Sequence, residues 1–494
     1  MTPVALPQPP TPDSQTPAGL LPHLPALRRG RPYASLDQNE VKDCRTGRLL
    51  ARVSQVNSGI IRKDLSRIRE SRAALRKMST GELLAICERA AGLFLESDLP
   101  LGDAGHIQSP QQYVETLSAT SGLPYVMVRR NMARIANALR GMRTILNGLT
   151  RGLDLSILDK GYGEQSGSRL SFLPVTQSLG LVMPSNSPAV NSLWLPAIPL
   201  KVPVIIKPGR EEPWTPYRLI QAFVAAGCPA EAFGFYPTDH EGSAEILRSC
   251  GRALVFGDQT TTAQYAANPA IQVHGPGFSK ILIGEDEIEH WPEYVDLIVD
   301  SISENGGRSC INASAVLVPR FADEIAEALA RKLGPIAPRP ATDESARLAA
   351  FANPKMAAAI NAAIEQDLAV PGATDVTAAY RNGPRLVEDS GATYLRPTIV
   401  RCRSFEHPLA NREFLFPFAS VLQVPQSEML ARIGPSLVVT AITKDPAFRS
   451  ELLDSPLIDR LNLGPIPTMH IAWDQPHEGN LFEFLYRRRS LEIA

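Results

Sequence analysis

The sequence predicts an α/β protein with two lobes, each built on its own parallel sheet. Two observations support this fold class. After Leu173, short apolar strands alternate with short helical segments, and a second region of the same kind follows Cys310. The chain has 494 residues, which is enough for two or three domains with sizeable cores. We therefore expect a doubly wound sheet in the first lobe and a separate α/β sheet in the second.

Composition excludes several classes of protein. The hydrophobic content of 44% and the charged content of 20% are ordinary for a globular protein, and the net charge of −1 gives no global field toward nucleic acid. No run of about 18 apolar residues occurs, so no membrane span is predicted. The six cysteines form no CxxC pair, which argues against a metal site or a disulfide framework and predicts a reducing, cytoplasmic location.

The chain begins with about 30 residues rich in proline, leucine and threonine, which we expect to be disordered. Apolar residues then recur at helical spacing from Asp64 to Leu95, and residues 127–146 predict a further amphipathic helix. The arginines of that helix are interpreted as a solvated face.

The alternating elements of the first lobe can be assigned in order. They are "QSLGLVMPSNSP" (strand, then turn), "SLWLPAIPL" (partly helical), "VPVIIKPG" (strand), "TPYRLIQAFVAAGCP" (helix), "AFGFYP" (strand), "GSAEILRSCG" (helix), "ALVFG" (strand), "TTAQYAA" (helix), and the strands "AIQVHG" and "KILIG". The second lobe contains "ASAVLVP", "ADEIAEALARKLG", "DESARLAAFANPKMAAAINAAIEQD", "ASVLQVP" and "SLVVTAITKD". The tail "NLFEFLYRRRSLEIA" is β-prone and predicts a paired strand, often paired with another subunit.

Cys310 is the first candidate for chemistry. It follows the turn Asn305-Gly306-Gly307-Arg308-Ser309, between a helical run and a strand. The glycines would let the backbone approach a ligand, and Arg308 would lower the thiol pKa. These features favour a nucleophile over the ordinary interpretation of a cysteine as a small buried apolar residue.

Two further polar residues follow buried strands. Asn186 could donate a hydrogen bond to a developing oxyanion, although an asparagine in a turn often only satisfies the local backbone. Lys207 ends a buried strand, where open α/β sheets bind ligands; the alternative is a surface lysine. The stretch "HGPGFSK" is not interpreted as a dinucleotide fingerprint, because it lacks the third glycine and leads into a strand.

Together these residues resemble the aldehyde dehydrogenase family, and the resemblance covers roughly residues 60 to 494. Four stretches match family motifs in order: Asn186-Ser187-Pro188, Lys207-Pro208-Gly209-Arg210, Asn305 to Cys310, and Glu413-Phe414-Leu415-Phe416-Pro417-Phe418. The resemblance implies a cofactor domain, a catalytic domain and a small β oligomerisation element. The boundaries expected are 1–30 for the disordered segment, 31–280 for the cofactor domain with 150–172 in the oligomerisation element, 281–460 for the catalytic domain, and 461–494 for an oligomerisation tail. A homodimer or homotetramer is expected.

The resemblance also implies roles for these residues. Asn186 and the backbone amide of Cys310 would form an oxyanion hole. Lys207 would hold the adenosine ribose and Glu413 the nicotinamide ribose, while Trp194, eight residues after Asn186, is assigned to the cofactor site. Cys310 would attack the carbonyl of a small-molecule aldehyde or acyl thioester, and hydride transfer to the nicotinamide would leave a thioester.

The sequence departs from the family at three places. His274 stands where the family has its general-base glutamate, 36 residues before Cys310. Asp258 lies in the stretch that faces the cofactor pyrophosphate, and "WDQPHEGNLFEFLY" replaces the usual C-terminal motif. The loss of the glutamate weakly favours a coenzyme A-acylating aldehyde dehydrogenase or an acyl-CoA reductase. The alternatives are a hydrolytic enzyme with His274 or Glu478 as base, and a catalytically silent member with a binding or structural role.

The residue three after Lys207 bears on cofactor choice. In the family this position is often a glutamate that bonds the adenosine 2′-hydroxyl, whereas here it is Arg210, whose guanidinium suits a phosphate. NADP is therefore modestly favoured over NAD. A shift of one residue would instead restore a carboxylate, from Glu211.

Overall fold

A computed structural model describes residues 21–102 and 105–494, and its first lobe is a seven-stranded sheet. In spatial order the strands are Ile271–His274, Arg252–Phe256, Leu179–Val182, Val204–Lys207, Phe233–Phe235, Ala26–Arg28 and Arg31–Tyr33. The first five are parallel, as predicted, and the last two join antiparallel. The parallel strands are buried because helices cover the sheet, as their continuous apolar runs require.

Helices surround this sheet. Their bounds are Ser58–Leu65, Ile68–Arg76, Thr80–Glu96, Pro110–Ser121, Tyr125–Arg140, Met142–Leu149, Ile157–Lys160, Trp214–Ala225, His240–Ser249 and Gln259–Ala263. The predicted helical region from Asp64 to Leu95 is divided among three helices, the last of which begins with a capping box between Ser79 and Glu82. The helix predicted over 127–146 is divided at Gly141.

The second lobe contains the other seven-stranded sheet. Its order is Ala373–Asp375, Thr398–Cys402, Phe418–Gln423, Ala315–Val318, Lys280–Ile283, Ser436–Ile442 and Ile458–Leu463. Its helices are Trp291–Ser303, Ala322–Leu333, Pro354–Leu368, Gln426–Ile433 and Pro446–Asp454. The strand "KILIG", which sequence patterning placed with the first lobe, is an interior strand here, because it pairs with Ala315–Val318 and Ser436–Ile442.

Smaller sheets complete the described chain. One three-stranded sheet consists of His23–Leu24, Leu49–Ser54 and Gln38–Lys42, and another of Tyr162–Gln165, Ser168–Pro174 and Tyr486–Arg489. Two two-stranded sheets pair Leu99–Pro100 with Ile107–Gln108 and Leu386–Asp389 with Ala392–Leu395. The predicted tail strand begins only at Tyr486, since Leu481–Leu485 is helical, and it pairs with Ser168–Pro174 of the same chain. The two segments predicted for oligomerisation thus share one sheet; that the sheet joins subunits stays a prediction.

The N-terminal segment departs from expectation in part. Residues 1–20 lie outside the described residues, so their predicted disorder is not tested. Residues 23–28, for which composition also predicts disorder, form two strands because Leu24, Ala26 and Leu27 are buried in the core. No helix among residues 21–102 and 105–494 is long and apolar enough to cross a membrane.

We predict that Glu212, just beyond Val204–Lys207, makes stability depend on pH. Its carboxyl accepts hydrogen bonds from the Thr215 backbone N–H (2.9 Å) and hydroxyl, and burial raises its pKa to about 8. The folded protein therefore keeps a proton that the unfolded chain releases near pH 4.5, so stability should fall as pH rises from there to about 8. The loss should be on the order of a few kcal/mol.

Urea unfolding at pH 5, 7 and 9 measures this effect. Glu212→Gln keeps an oxygen acceptor for Thr215 but cannot ionise, so the free energy of unfolding should decline less with pH than in wild type. Glu231→Gln, at an exposed position, serves as the control. Equal pH dependence in wild type and Glu212→Gln would contradict the prediction.

Candidate active site

The strand order creates a crevice in the first sheet. The parallel strand that comes first in the chain, Leu179–Val182, lies between Val204–Lys207, the second in the chain, and Arg252–Phe256, the fourth. The chain connections therefore leave this strand in opposite directions. Ligands of open α/β sheets bind at such a switch point, beyond the carboxyl ends of the strands. A cavity of about 710 Å³ opens at this position. Its lining includes Pro184, Ser185, Asn186, Gly257, Asp258, His274, Cys310, Glu413 and Glu478.

Cys310 reaches this cavity from a turn with unusual backbone geometry. Asn305, Gly306 and Gly307 have positive φ angles of 55°, 68° and 68°. A Cβ atom on Gly307 would overlap the backbone between Phe416 and Pro417. The glycines are therefore required by the turn and its close packing, instead of by the predicted approach of a ligand.

The predicted effect of Arg308 on the thiol is wrong. The Arg308 guanidinium is buried, donates to the carbonyl oxygens of Ser121 (2.7 Å) and Ala350, and lies over the Phe351 ring. Burial raises the pKa of the Cys310 thiol, and the carboxylates of Glu478 and Glu413 raise it further. The thiol therefore needs a base to give up its proton.

His274 lines the same cavity as Cys310. It ends the strand Ile271–His274, and its ring stacks on Phe256 at a centroid distance of 4.4 Å. Nδ1 is hydrogen bonded to a carboxylate oxygen of Glu478, while Nε2 is buried and has no hydrogen-bond partner among the described residues. A carboxylate on one ring nitrogen fixes the tautomer that leaves the other nitrogen as a proton acceptor.

Asn186 lines the same cavity and contacts the turn that carries the thiol. Its Nδ2 donates to the carbonyl oxygen of Arg308 at 2.8 Å. This bond holds the amide beside the residue that precedes Ser309-Cys310. An amide nitrogen carries two hydrogens, so one remains available to a bound ligand.

Glu413 and Lys207 are the predicted ribose contacts. Glu413 lines the cavity, accepts the Phe278 N–H at 2.6 Å, and has its pKa raised to about 7 by burial. Lys207 ends the strand Val204–Lys207 and is half-buried without lining the cavity; burial lowers its pKa. The structure thus brings Glu413 to the cavity wall and Lys207 to the same end of the sheet.

The structure does not bring Arg210 or Trp194 to the cavity. Arg210 is exposed, whereas Glu211 lines the cavity and donates its backbone N–H to Ser185 Oγ at 3.3 Å. Trp194 is fully buried in the core and donates its ring N–H to Asn191. The tryptophan is a core residue because its position packs against the helices of the first lobe.

Sequence analysis identified a departure from the family's C-terminal motif but missed what residues 471–481 do. This segment, the C-terminal strap, lines the cavity and carries Glu478 to His274. The strap lies so close to the helix Met142–Leu149 that a Cβ atom on Gly148 would overlap the carbonyl of Asp474. Nothing local in the sequence marks this contact, because its two sides are more than 300 residues apart.

Comparison with known proteins agrees with this architecture. A model of the aldehyde dehydrogenase family matches residues 34–433, and the chain belongs to that family. The predicted resemblance and fold class are therefore confirmed. No curated protein matches the chain in sequence.

Solved structures share the fold at low sequence identity. The aldehyde dehydrogenase KauB from Pseudomonas aeruginosa superposes with a TM-score of 0.77 over 95% of this chain and 96% of its own, at 16% identity. The indole-3-acetaldehyde dehydrogenase AldA from P. syringae, solved with NAD⁺ and IAA, gives 0.75 over 96% and 97%, at 17% identity. A Bacillus cereus aldehyde dehydrogenase in complex with NAD⁺ gives 0.74 over 95% and 96%, at 16% identity.

We predict that Asn186 stabilises an oxyanion formed at Cys310. Loss of one such donor typically lowers kcat about 10²–10³-fold, so Asn186→Ala should show a loss of this size in aldehyde oxidation, with little change in cofactor affinity. Asn191→Ala is the control, because that amide bonds Pro188 O and the Trp194 ring away from the cavity. A loss below about threefold in Asn186→Ala would leave Asn186 as a structural residue of the turn.

Proposed function

We propose that this protein oxidises an aldehyde to a carboxylic acid with NAD, through a thioester on Cys310 that water hydrolyses. The observation that carries the proposal is the unpartnered Nε2 of His274, a residue that lines the same cavity as Cys310. The glutamate base of the family is missing, but a histidine held by Glu478 would supply another proton acceptor.

The residues would act in a defined order. His274 Nε2 takes the Cys310 thiol proton, and the sulfur attacks the aldehyde carbonyl carbon while Asn186 and the Cys310 N–H donate to its oxygen. With NAD bound, its nicotinamide would be the acceptor for the hydride of that carbon, and the substrate would remain on Cys310 as a thioester. Once its first proton has gone to solvent, His274 takes a proton from water. The resulting hydroxide displaces the Cys310 sulfur and releases the acid.

The residues of the crevice fit a dinucleotide. Glu413 and Lys207 would hold its two riboses at the carboxyl end of the sheet. The carboxylate of Asp258 would repel a diphosphate if it were unpaired. It accepts hydrogen bonds from the Thr261 N–H (2.8 Å) and the Thr260 hydroxyl (2.7 Å), which lower its pKa and hold it at the start of the helix Gln259–Ala263. The carboxylate therefore has partners of its own instead of projecting unpaired into the crevice.

Coenzyme A is the second candidate acceptor, because His274 replaces the glutamate that hydrolytic members use. The charges of the cavity disfavour it. Coenzyme A carries a third phosphate that NAD lacks. Both arginines of the described cavity lining already have partners, because Arg308 donates to backbone carbonyls and Arg134 is paired with Glu304, so neither is available to that phosphate.

Product analysis distinguishes these functions. NADH absorbance and free acid are measured with an aldehyde, with and without coenzyme A, for wild type, His274→Gln and Cys310→Ala. We expect acid without coenzyme A from wild type, a loss of about 10²–10⁴-fold in His274→Gln, and no turnover in Cys310→Ala. Acyl-CoA formed only with coenzyme A would identify an acylating enzyme. Wild type with no activity in either direction would identify a silent member.

Cofactor choice is a separate prediction. The NADP preference predicted from Arg210 depends on that side chain facing the adenosine ribose, but Glu211 lines the cavity instead, and a carboxylate repels a 2′-phosphate. We therefore expect wild type to bind NAD more tightly than NADP in fluorescence titrations. Glu211→Gln should reduce the difference between the affinities for NAD and NADP, while Arg210→Gln should leave that difference unchanged. Tighter NADP binding that Arg210→Gln abolishes would instead support the role of Arg210 in selecting NADP.

A further inference from the structure

The lining of the cavity includes a group of apolar side chains. These residues are Ile145, Leu149, Leu193, Pro196, Leu254, Ile471, Trp473 and Leu481. They come from the helix Met142–Leu149, from the turns after Asn186, from a strand and from the C-terminal strap. We call this surface the apolar wall.

The apolar wall is not a closed part of the core. Ile145 and Trp473 pack against the main core cluster yet are only partly buried, and Leu193 is likewise partly exposed to the cavity. Apolar surface left open inside a cavity is stabilised when a ligand removes it from water. The wall therefore favours binding of a ligand that has an apolar group.

The wall is also long. Ile145 and Leu149 are one helical turn apart, which corresponds to about 6 Å along the helix axis. The strap contributes Ile471, Trp473 and Leu481 to the same lining. A two- or three-carbon aldehyde attached to Cys310 would leave most of this surface uncovered.

The strap is fixed against the helix by close contacts, one of which requires a glycine. Gly148 admits the carbonyl of Asp474, and Gly141 lies against the Trp473 ring, 3.6 Å from the nearest ring atom to its Cβ position. Asn480 Nδ2 donates to the carbonyl oxygen of Leu149 at 2.9 Å. The wall is therefore formed in the protein before any ligand arrives.

We infer that the apolar wall selects aldehydes with a long or bulky apolar chain, and that Ile145 and Trp473 are specificity-determining residues. This inference rests on the proposed oxidation of aldehydes at Cys310. Small polar aldehydes would be poor substrates, because they leave the wall in contact with water.

A chain-length series tests the inference on the wild-type protein. Burying one methylene group favours binding roughly fourfold, so kcat/KM should rise on the order of 10²-fold from propanal to heptanal. In Ile145→Trp the indole would occupy the wall, and kcat/KM for heptanal should fall at least tenfold, with less than a threefold change for propanal. Val224→Trp, on a partly exposed surface of the helix Trp214–Ala225, is the matched control.

A binding measurement separates this inference from the proposed function. Propanamide and heptanamide resemble the aldehydes but cannot be oxidised, and their binding is followed by intrinsic tryptophan fluorescence. Tighter binding of heptanamide on the order of 10²-fold, without oxidation of any aldehyde, would support the wall and overturn the proposed function. Oxidation with a flat or falling chain-length profile would overturn the inference and retain the function. Equal binding of both amides would also overturn the inference.

Discussion

The candidate site depends on close backbone packing between Gly277 and Cys310. A Cβ atom at residue 277 would overlap the Cys310 carbonyl oxygen, which also accepts the Ser279 hydroxyl at 2.8 Å. The same segment leaves the first sheet at His274 and enters the second sheet at Lys280. The segment 275–279, which joins the two sheets, is therefore packed against Cys310. This contact places His274 at one end of the segment and Cys310 beside its middle, so each sheet fixes the position of one of the two residues.

The electrostatics of the site follow from that arrangement. Burial and two carboxylates keep the Cys310 thiol protonated, unlike a thiol activated by a neighbouring arginine. Arg308, the nearest cation in sequence, uses its hydrogen bonds to hold the loops of Ser121 and Ala350. Nε2 of His274 has no partner among the described residues, and Glu478 holds the other ring nitrogen. These two residues come from segments that are 204 positions apart, and we propose that together they take the place of one carboxylate base.

The sequence predicted the features that short-range patterns encode. Apolar runs identified the parallel strands, and the order of the motifs along the chain nominated Asn186, Cys310 and Glu413, which line one cavity, and Lys207, which does not. Features set by distant contacts could not be predicted. The pattern around "KILIG" is the same whichever sheet the strand joins, and the pairing of strands decides it.

The direction in which a side chain points could not be predicted from the sequence either. Arg210 and Glu211 are neighbours, and only the turn after Val204–Lys207 decides which faces the cavity. Trp194 has the spacing of a site residue but the burial of a core residue. The sequence showed the strap only as a departure from the family's C-terminal motif, because Gly148, which allows the strap to pack closely, lies in a helix far away in the chain.

On the proposed roles, the strap connects substrate fit with proton transfer. Trp473 and Glu478 lie five residues apart on one segment, the first on the apolar wall and the second bonded to His274. The contacts that fix the strap against the helix Met142–Leu149 form without a ligand, so they would also hold the carboxylate against the imidazole. The base would then be oriented in advance for any aldehyde, and an apolar chain on the wall would add binding energy that raises kcat/KM. A short aldehyde would meet the same oriented base but would bury less of the wall.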